Sequence, residues 1–480
     1  MIQALFSMYR PRFAKSIVYM LQSTEYQVWP YLKWFWRTTN FARVMHRRQL
    51  VITKPARLLL RALRLGLLAQ IGIALGLGLW GIRAHKPGVP QIAFALLVAA
   101  PIIWAHLIAV PLVLGRVFII WPRTYFQVRR SSDIFAAHPA MKIAVAGSYG
   151  KTSMKEILAI VLGQGKKVAA TPANKNVASE HAKFAARLKG DEEVLIIEYG
   201  EGKPGDVARF TRTTHPRIGI ITGLAPAHLD KYKTLARAGA DIFSLADYLG
   251  HKNVYVNEES PAAGDFIKKA DHPYSAKGVL DWKVINPKID IEGLSFVLKN
   301  GDGLVLRLKS RLLGRHQIGP LALAAVLAHQ AGISKTKIEA GVAKTAPFAH
   351  RLQPRQLGGA WIIDDTYNGN IDGLKVGLEL LKELPAKRKI YVTPGLVDQG
   401  KESSKIHHDL GLMIAKTKPD QVVLMDNSVT RSIMDGLAAG KYSGQVTIES
   451  DPLEFYTNLE HFVAAGDLVL MQNDWTDNYS

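Results

Sequence analysis

The stretch IAVAGSYGKTSMKEIL, residues 143–158, decides the fold. Alternating β-branched and small apolar residues run into Gly147, Ser148, Tyr149, Gly150, Lys151, Thr152 and Ser153, and a helical pattern follows. That order is strand, glycine loop, helix. Backbone N–H groups of such a loop, together with the first turn of the helix, cradle phosphates. Lys151 then reaches the terminal phosphates, and the Thr152 hydroxyl is placed to ligate Mg2+. The longer form of this motif carries a glycine where the chain has Val145, so the loop is the shorter G-x-x-G-K-T form. The bare pattern recurs by chance; its place between a strand and a helix is what points to a nucleotide.

Around this loop, short β-branched runs at 142–146, 194–198, 217–222 and 253–257 alternate with helical stretches at 151–162 and 235–249. Such alternation predicts an α/β domain with a mostly parallel sheet covered on both faces. Residues 284–310 alternate and carry Asn-Gly and Asp-Gly turn signals, which predicts a small antiparallel insert. Helical patterns at 321–330 and 335–343 close this unit. A second, Rossmann-like α/β unit is expected from about residue 361, with strands at 361–363, 389–393, 421–425 and 468–471.

Three further segments carry groups suited to chemistry. Glu198 ends the strand EVLIIEYG, where an acid beside a phosphate loop can hold Mg2+ or simply cap the strand in solvent. His228 follows another strand end on the same sheet edge; a lone histidine is more often a packed or surface residue than a ligand, and that position is what favours the ligand. Asp364, Asp365, Tyr367, Asn368 and Asn370 cluster in WIIDDTYNGNIDG, a pattern fit for a ribose, a metal or a turn.

The chain has 480 residues, 61 Lys plus Arg, 40 Asp plus Glu and no cysteine. The absence of cysteine excludes a disulfide scaffold, a zinc-thiolate site and a cysteine nucleophile. The net charge of +21 is concentrated: residues 1–140 hold 18 Lys plus Arg against Glu25 and Asp133. The same segment is the most apolar. Residues 65–82 and 89–115 carry no Asp, Glu, Lys or Arg, and each is long enough to cross a ~30 Å hydrocarbon layer as a helix. Basic residues flank both spans while only Arg83 and Lys86 lie between them. The positive-inside bias predicts a two-helix membrane hairpin over 57–130, with both ends cytoplasmic and the turn outside. Aromatic and basic residues interleave over 1–56, which reads as interfacial helices against a lipid bilayer rather than a nucleic-acid surface.

Taken in order, the motifs resemble the Mur ligase family, ATP-dependent amide ligases of peptidoglycan-precursor synthesis. GSYGKTS is similar to the family's phosphate loop, IIEYGEGKPGDV to its E-x-G segment, PRIGIITGLAPAHLD to its I-T-N…H-L segment, and LLGRHQIGPLALAAVLA to its G-x-H-N segment. HRLQ…IIDDTYNGNIDG and VTPGLVDQGKESSKIHHDLG look closest to the D-alanyl-D-alanine-adding (MurF-type) member.

The resemblance implies a central ATPase domain over 140–345 and a C-terminal domain over 346–480. It implies ATP and Mg2+ as cofactors. Lys151, Glu198 and His228 would be the catalytic set, with Thr152, Glu198 and His228 the metal ligands. Residues 147–153, Gln317, Arg351 and Asp365 would contact nucleotide, and Asn174, Asn176, Asn368 and Asn370 substrate. The implied chemistry joins an amino acid or dipeptide to a precursor through an acyl phosphate. The partners would be that precursor, its amine, the bilayer and other cell-wall enzymes, with no nucleic acid. A ligase for another amino-acid polymer and a non-catalytic nucleotide-binding scaffold are the alternatives. Departures are informative. Gly239 stands where the family has a lysine that is carbamylated to hold a second Mg2+, with Asp241 the nearest acid. Gln353 replaces a glutamate, and Gln472, Asn473 and Asp474 replace a terminal K-G-S-R. The membrane segment stands in place of the uridine-nucleotide-binding domain.

Overall fold

The computed structural model describes residues 2–24, 26–41, 50–173, 175–225, 229–367, 369–396, 399 and 402–473. They form two compact units, Met1–Phe126 and Gln127–Ser480.

The first unit is helical. Ile2–Met8, Phe13–Ser23 and Val28–Arg37 precede a long helix, Lys54–Arg83, capped by the Thr53 hydroxyl and opened by Pro55. A turn through Gly88 (φ +87°) leads to Val89–Leu107 and Ala109–Gly115. The two long helices pack closely because Gly66 lies under the Trp104 ring, where a Cβ would approach within 2.3 Å. Phe13, Ile17, Leu21, Tyr31, Phe35 and Leu63 form a small core, and the Tyr31 hydroxyl donates to the Ala105 carbonyl at 2.7 Å. The apolar residues of the hairpin stay largely outside that core: Leu65, Leu68, Ile73, Leu79, Ile92 and Phe94 are all exposed. Helix Trp121–Ala137 carries the chain into the second unit.

The second unit holds two sheets. The first has ten strands: β1 Met141–Ala146, β2 Val168–Ala170, β3 Val194–Glu198, β4 Ile218–Ile221, β5 Val254–Asn257, β6 His272–Ser275, β7 Gly278–Val279, β8 Trp282–Asp290, β9 Gly293–Lys299 and β10 Val305–Ser310. Their order is β10-β9-β8-β7-β6-β5-β4-β1-β3-β2, parallel from β2 to β6 and antiparallel from β6 to β10. The antiparallel segment expected at 284–310 is therefore an extension of the main sheet.

Strand alternation assigns the two faces. Ile143, Val145, Ile196 and Ile220 pack with helices Lys151–Leu162, Ile318–Gln330 and Lys335–Ala343. Ala144, Ala146, Leu195 and Ile197 pack against Phe135, Phe184, Phe210 and helix Leu235–Leu249.

The second sheet has six strands: β11 Gln353–Leu357, β12 Ala360–Asp365, β13 Arg388–Thr393, β14 Gln421–Met425, β15 Gln445–Glu449 and β16 Asp467–Gln472, in the order β11-β12-β16-β13-β14-β15. All neighbours are parallel except β11 with β12. Ile363, Tyr391, Leu424 and Leu470 face helices Ile371–Glu383 and Ser403–Thr417; Ile362, Ile390, Val423 and Val469 face Phe455. Arg315 and Glu383 join the two sheets' domains in a bidentate pair, at 2.6 and 3.2 Å.

Candidate active site

The phosphate loop leaves β1 through Gly147 (φ +137°) and enters helix Lys151–Leu162 through Gly150 (φ +72°). Both are left-handed, where glycine is favoured. Gly147 has a second constraint: a Cβ there would lie 2.4 Å from Thr222 Oγ1. Thr222, at the end of β4, donates its hydroxyl to the Ala146 and Tyr149 carbonyls, and the Ser148 N–H donates to the Gly223 carbonyl at 2.8 Å. The loop is thus held by the neighbouring strand, and Ser148 Oγ is left buried with no partner. The Tyr149 ring lies over Gly223, and burial raises its hydroxyl pKa above the usual range, with Asp372 and Glu259 adding to the effect. Asp372 opens the first helix after β12, so the second sheet's edge faces the phosphate loop.

Glu198 is the hub. It is 1% exposed, at the C-terminal end of β3. Its Oε1 accepts from Thr152 Oγ1 and Asn176 Nδ2, each at 3.1 Å. Its Oε2 accepts no hydrogen bond but lies 3.3 Å from Lys155 Nζ. Its backbone is held by the Thr171 hydroxyl at 3.0 Å and by His181 Nε2 at 2.8 Å. Burial brings His181 down to about 4, which keeps the ring neutral. Two hard oxygens 3.1 Å apart, on Thr152 and Glu198, are the donor type Mg2+ takes, and they fit a single such ion. Among the described residues no group of three His, Cys, Asp or Glu converges to hold a metal by itself.

Lys151, Thr152, Glu198 and Asn176 are therefore gathered at one place. Arg351, Asp365 and Asn370 gather at another, the C-terminal ends of β12 and β16. The Arg351 guanidinium lies over the Tyr367 ring, 4.5 Å from its centroid. Asp365 accepts from Gln472 Nε2 at 2.7 Å and from the Leu352 N–H at 3.2 Å, and burial pushes its carboxyl up to about 6. The Asn370 side chain caps helix Ile371–Glu383 through the Gly373 N–H at 2.8 Å. Gln317 ends the short turn Arg315–Gln317, its side-chain amide 2.8 Å from Nε2 of the neighbouring His316. His228, Asn174 and Asn368 lie outside the described residues.

Three site residues escaped the sequence reading. Lys155, Glu201 and His181 are all buried. Spacing holds the only signal for the first two: Lys155 is one helical turn beyond Lys151, and Glu201 lies three residues beyond Glu198.

Gly239 has no room for a side chain. A Cβ would meet the Phe266 ring at 2.3 Å and Leu224 at 3.0 Å. Asp241, the nearest acid to Gly239, has both carboxylate oxygens engaged within the fold. It accepts from the Tyr232 hydroxyl at 2.7 Å and from the Gly205 N–H at 3.0 Å, tying helix Leu235–Leu249 to the loop before Asp206. Burial raises its pKa.

A parallel sheet ending in a glycine-rich phosphate loop, followed by a Rossmann-like domain facing that loop, defines a two-domain nucleotide-site architecture. Within that class the chain belongs to the Mur ligase family: the Mur ligase middle domain matches residues 145–328, and the Mur ligase glutamate ligase domain matches residues 350–472. The UDP-N-acetylmuramoyl-tripeptide–D-alanyl-D-alanine ligase of Escherichia coli (strain K12) is 30% identical over 283 residues, 57% of this chain and 62% of that protein. The chain thus spans about three-fifths of that relative's length. The enzyme of the same name from Mycobacterium leprae is 24% identical over 364 residues, 69% of this chain and 70% of that protein.

Two solved structures share the fold. MurF from Acinetobacter baumannii aligns with a TM-score of 0.64 at 18% identity, over 73% of this chain and 77% of that one. The MurF ligase of Thermotoga maritima, in complex with ADP, aligns with a TM-score of 0.60 at 20% identity, over 73% and 80%.

Proposed function

We propose that the protein is a membrane-tethered, ATP-dependent amide ligase that extends the peptide of a peptidoglycan precursor. The first candidate reaction is addition of D-Ala-D-Ala to UDP-MurNAc-tripeptide, the reaction named for the E. coli and M. leprae relatives. The observation that carries the reading is the meeting of Thr152 and Glu198 at 3.1 Å beside Lys151, at the mouth of a glycine loop. In this reading Lys151 and the loop N–H groups bind the phosphates, and Thr152, Glu198 and His228 hold Mg2+. Magnesium-bound ATP, when present, supplies an activated phosphoryl group to the substrate carboxylate. Arg351 and Asp365 contact nucleotide from the second domain, and Gln317 contacts it from the turn that precedes helix Ile318–Gln330. Asn174, Asn176, Asn368 and Asn370 position the precursor and the amine. Positioning between two facing domains does most of the work, and the chain needs no nucleophile of its own.

The tether rests on Lys54–Arg83 and the helical run Val89–Ala137, both long and apolar enough to cross a membrane. Only 17% and 33% of their most apolar stretches are buried in the protein, which favours lipid over a soluble core. The basic flanks orient both ends toward the cytoplasm of a bacterial inner membrane, beside other cell-wall enzymes.

A second reading, a nucleotide-binding scaffold without catalysis, is favoured by the closed space at Gly239 and by Gln472 in place of a basic residue. Mass spectrometry separates the two. The purified protein is given ATP, Mg2+, UDP-MurNAc-tripeptide and D-Ala-D-Ala, beside Lys151→Ala. A pentapeptide product that vanishes in the variant supports the ligase; ATP binding without product supports the scaffold or a different acceptor.

A further inference from the structure

Lys151 and Lys155 share one face of their helix, and Glu198 and Glu201 face them from the end of β3. The result is two ion pairs side by side. In the second, Lys151 Nζ lies 2.8 and 3.0 Å from the two oxygens of Glu201 and also donates to the Gly147 carbonyl. Glu201 is 6% exposed and the Lys151 side chain 11%. The lysine that a phosphate would recruit is thus already engaged by a buried carboxylate. The surroundings of Glu201 are acidic: its charge and that of Asp206 both act on the Tyr232 hydroxyl, which is bonded to Asp241.

A nucleotide must take Lys151 from Glu201. That exchange strips a buried carboxylate of the ammonium touching both its oxygens, and it brings polyphosphate charge up beside it. Each effect opposes binding. A divalent cation arriving with the phosphates offsets both, because it restores positive charge near Glu201 at the moment Lys151 turns away. We propose that Glu201 makes nucleotide binding conditional on a divalent cation, holding Lys151 until a cation and phosphates enter together. This rests on the nucleotide-binding reading of the loop. It assigns Glu201 a gating role that the family resemblance of the loop does not carry.

The test is calorimetric titration of ATP into the full chain in detergent micelles, in MgCl2 and in EDTA, for wild type and Glu201→Gln. In EDTA the variant should bind about tenfold more tightly than wild type, and in MgCl2 the two should agree within about threefold. Glu201→Asp, which keeps the charge on a shorter arm, should fall between them in EDTA, and it carries the test if the amide variant does not fold. Equal affinity of wild type and both variants in EDTA overturns the proposal, as does a variant weakened equally in both media, the result of a merely structural pair. If no form binds ATP in either medium, the nucleotide reading of the loop fails and takes the gate with it.

Discussion

Lys155 Nζ lies 3.3 Å from Glu198 Oε2, and neither side chain reaches solvent (0% and 1% exposed). The same ammonium donates to the Ala173 carbonyl, where the backbone is left-handed at φ +45°, and lies 3.3 Å from Glu156. One buried cation therefore ties the phosphate-loop helix to the end of β3 and to the segment leading to Asn176. Removing it leaves Glu198 charged and enclosed. Lys155→Met should destabilise the protein by about 3–5 kcal/mol, measured by denaturant unfolding. Lys155→Met with Glu198→Gln should recover most of that loss, since neither charge is then stranded. A double variant as unstable as the sum of its singles would refute the pairing.

Acid should weaken the fold before it reaches the ordinary carboxylate range. Burial holds His181 at about 4, and His316 is lowered to about 4 by the same cause, from a usual 6.5. Between those values the unfolded chain binds more protons than the native one, so stability is full above about pH 6.5 and falls as pH drops toward 4. The enclosed His181 alone accounts for about 3 kcal/mol over that range. Asp365 works against it: its native value of about 6 makes its own contribution grow as pH falls from 6 to 3.8. His407, lowered by burial, acts with the two histidines, and Asp241, Glu259 and Asp372, raised by burial, act with Asp365; the large shifts at His181 and His316 set the sign. Urea midpoints from pH 7.5 to 4.5 should fall, and His316→Phe should show a shallower slope.

Asp365 itself gives a separation of stability from function. At neutral pH its carboxylate is ionised in a place that raises its pKa. Asn would keep the bond from the Leu352 N–H, and it could donate to Gln472 Oε1, which is buried without a partner, once that amide turns. Asp365→Asn should therefore unfold at higher denaturant at pH 7.5, by about 1–2 kcal/mol after allowance for its partial solvent access. ATP turnover in the proposed reaction should be lost. A variant both less stable and active would remove Asp365 from the site.

How much of this was legible follows from where each signal came from. β1, β3 and the helices Lys151–Leu162 and Leu235–Leu249 were readable because burial on both faces leaves long apolar runs and clean punctuation. β11 and β15 were not. They are the two edge strands, carry polar residues such as Gln353, Arg355 and Gln445, and are identified only by their pairing. Pro354 is tolerated because β11 has a free edge. In the candidate site, Lys151 and Thr152 stand out through the loop pattern and Glu198 through its place at the end of a long apolar strand. Lys155 and Glu201 did not, since a lysine in a helix and a glutamate after a strand read as solvated surface until the fold buries them against each other.

The two-unit organisation can be cut. Phe135 is fully buried in the second unit, and Ser131 donates to the Val128 carbonyl at 2.7 Å within the same helix, so the cut belongs ahead of Gln127. Removing residues 1–126 should give a protein soluble without detergent that elutes as a folded species and binds ATP with Mg2+ as the full chain does. Aggregation of this fragment, or loss of binding, would contradict the tether reading.

Gly239 offers the last test. If its missing side chain were an incidental loss, restoring a lysine would restore a function. The packing argues the opposite: Phe266 stacks on Phe243 with centroids 5.2 Å apart, and its ring fills the space a Cβ at 239 would need. Gly239→Ala gains helix propensity of about 1 kcal/mol but forces that ring to move, an overpacking cost of about 1–3 kcal/mol. The net should be a lower melting temperature, and Gly239→Lys should fall further. Pairing Gly239→Ala with Phe266→Ala should recover part of the overpacking cost while adding the loss of the ring's own contacts, so the two changes should be non-additive in a double-mutant cycle. Additivity within a few tenths of a kcal/mol would mean that Phe266 does not close the space, and the site at 239 would again be open to a second metal ligand.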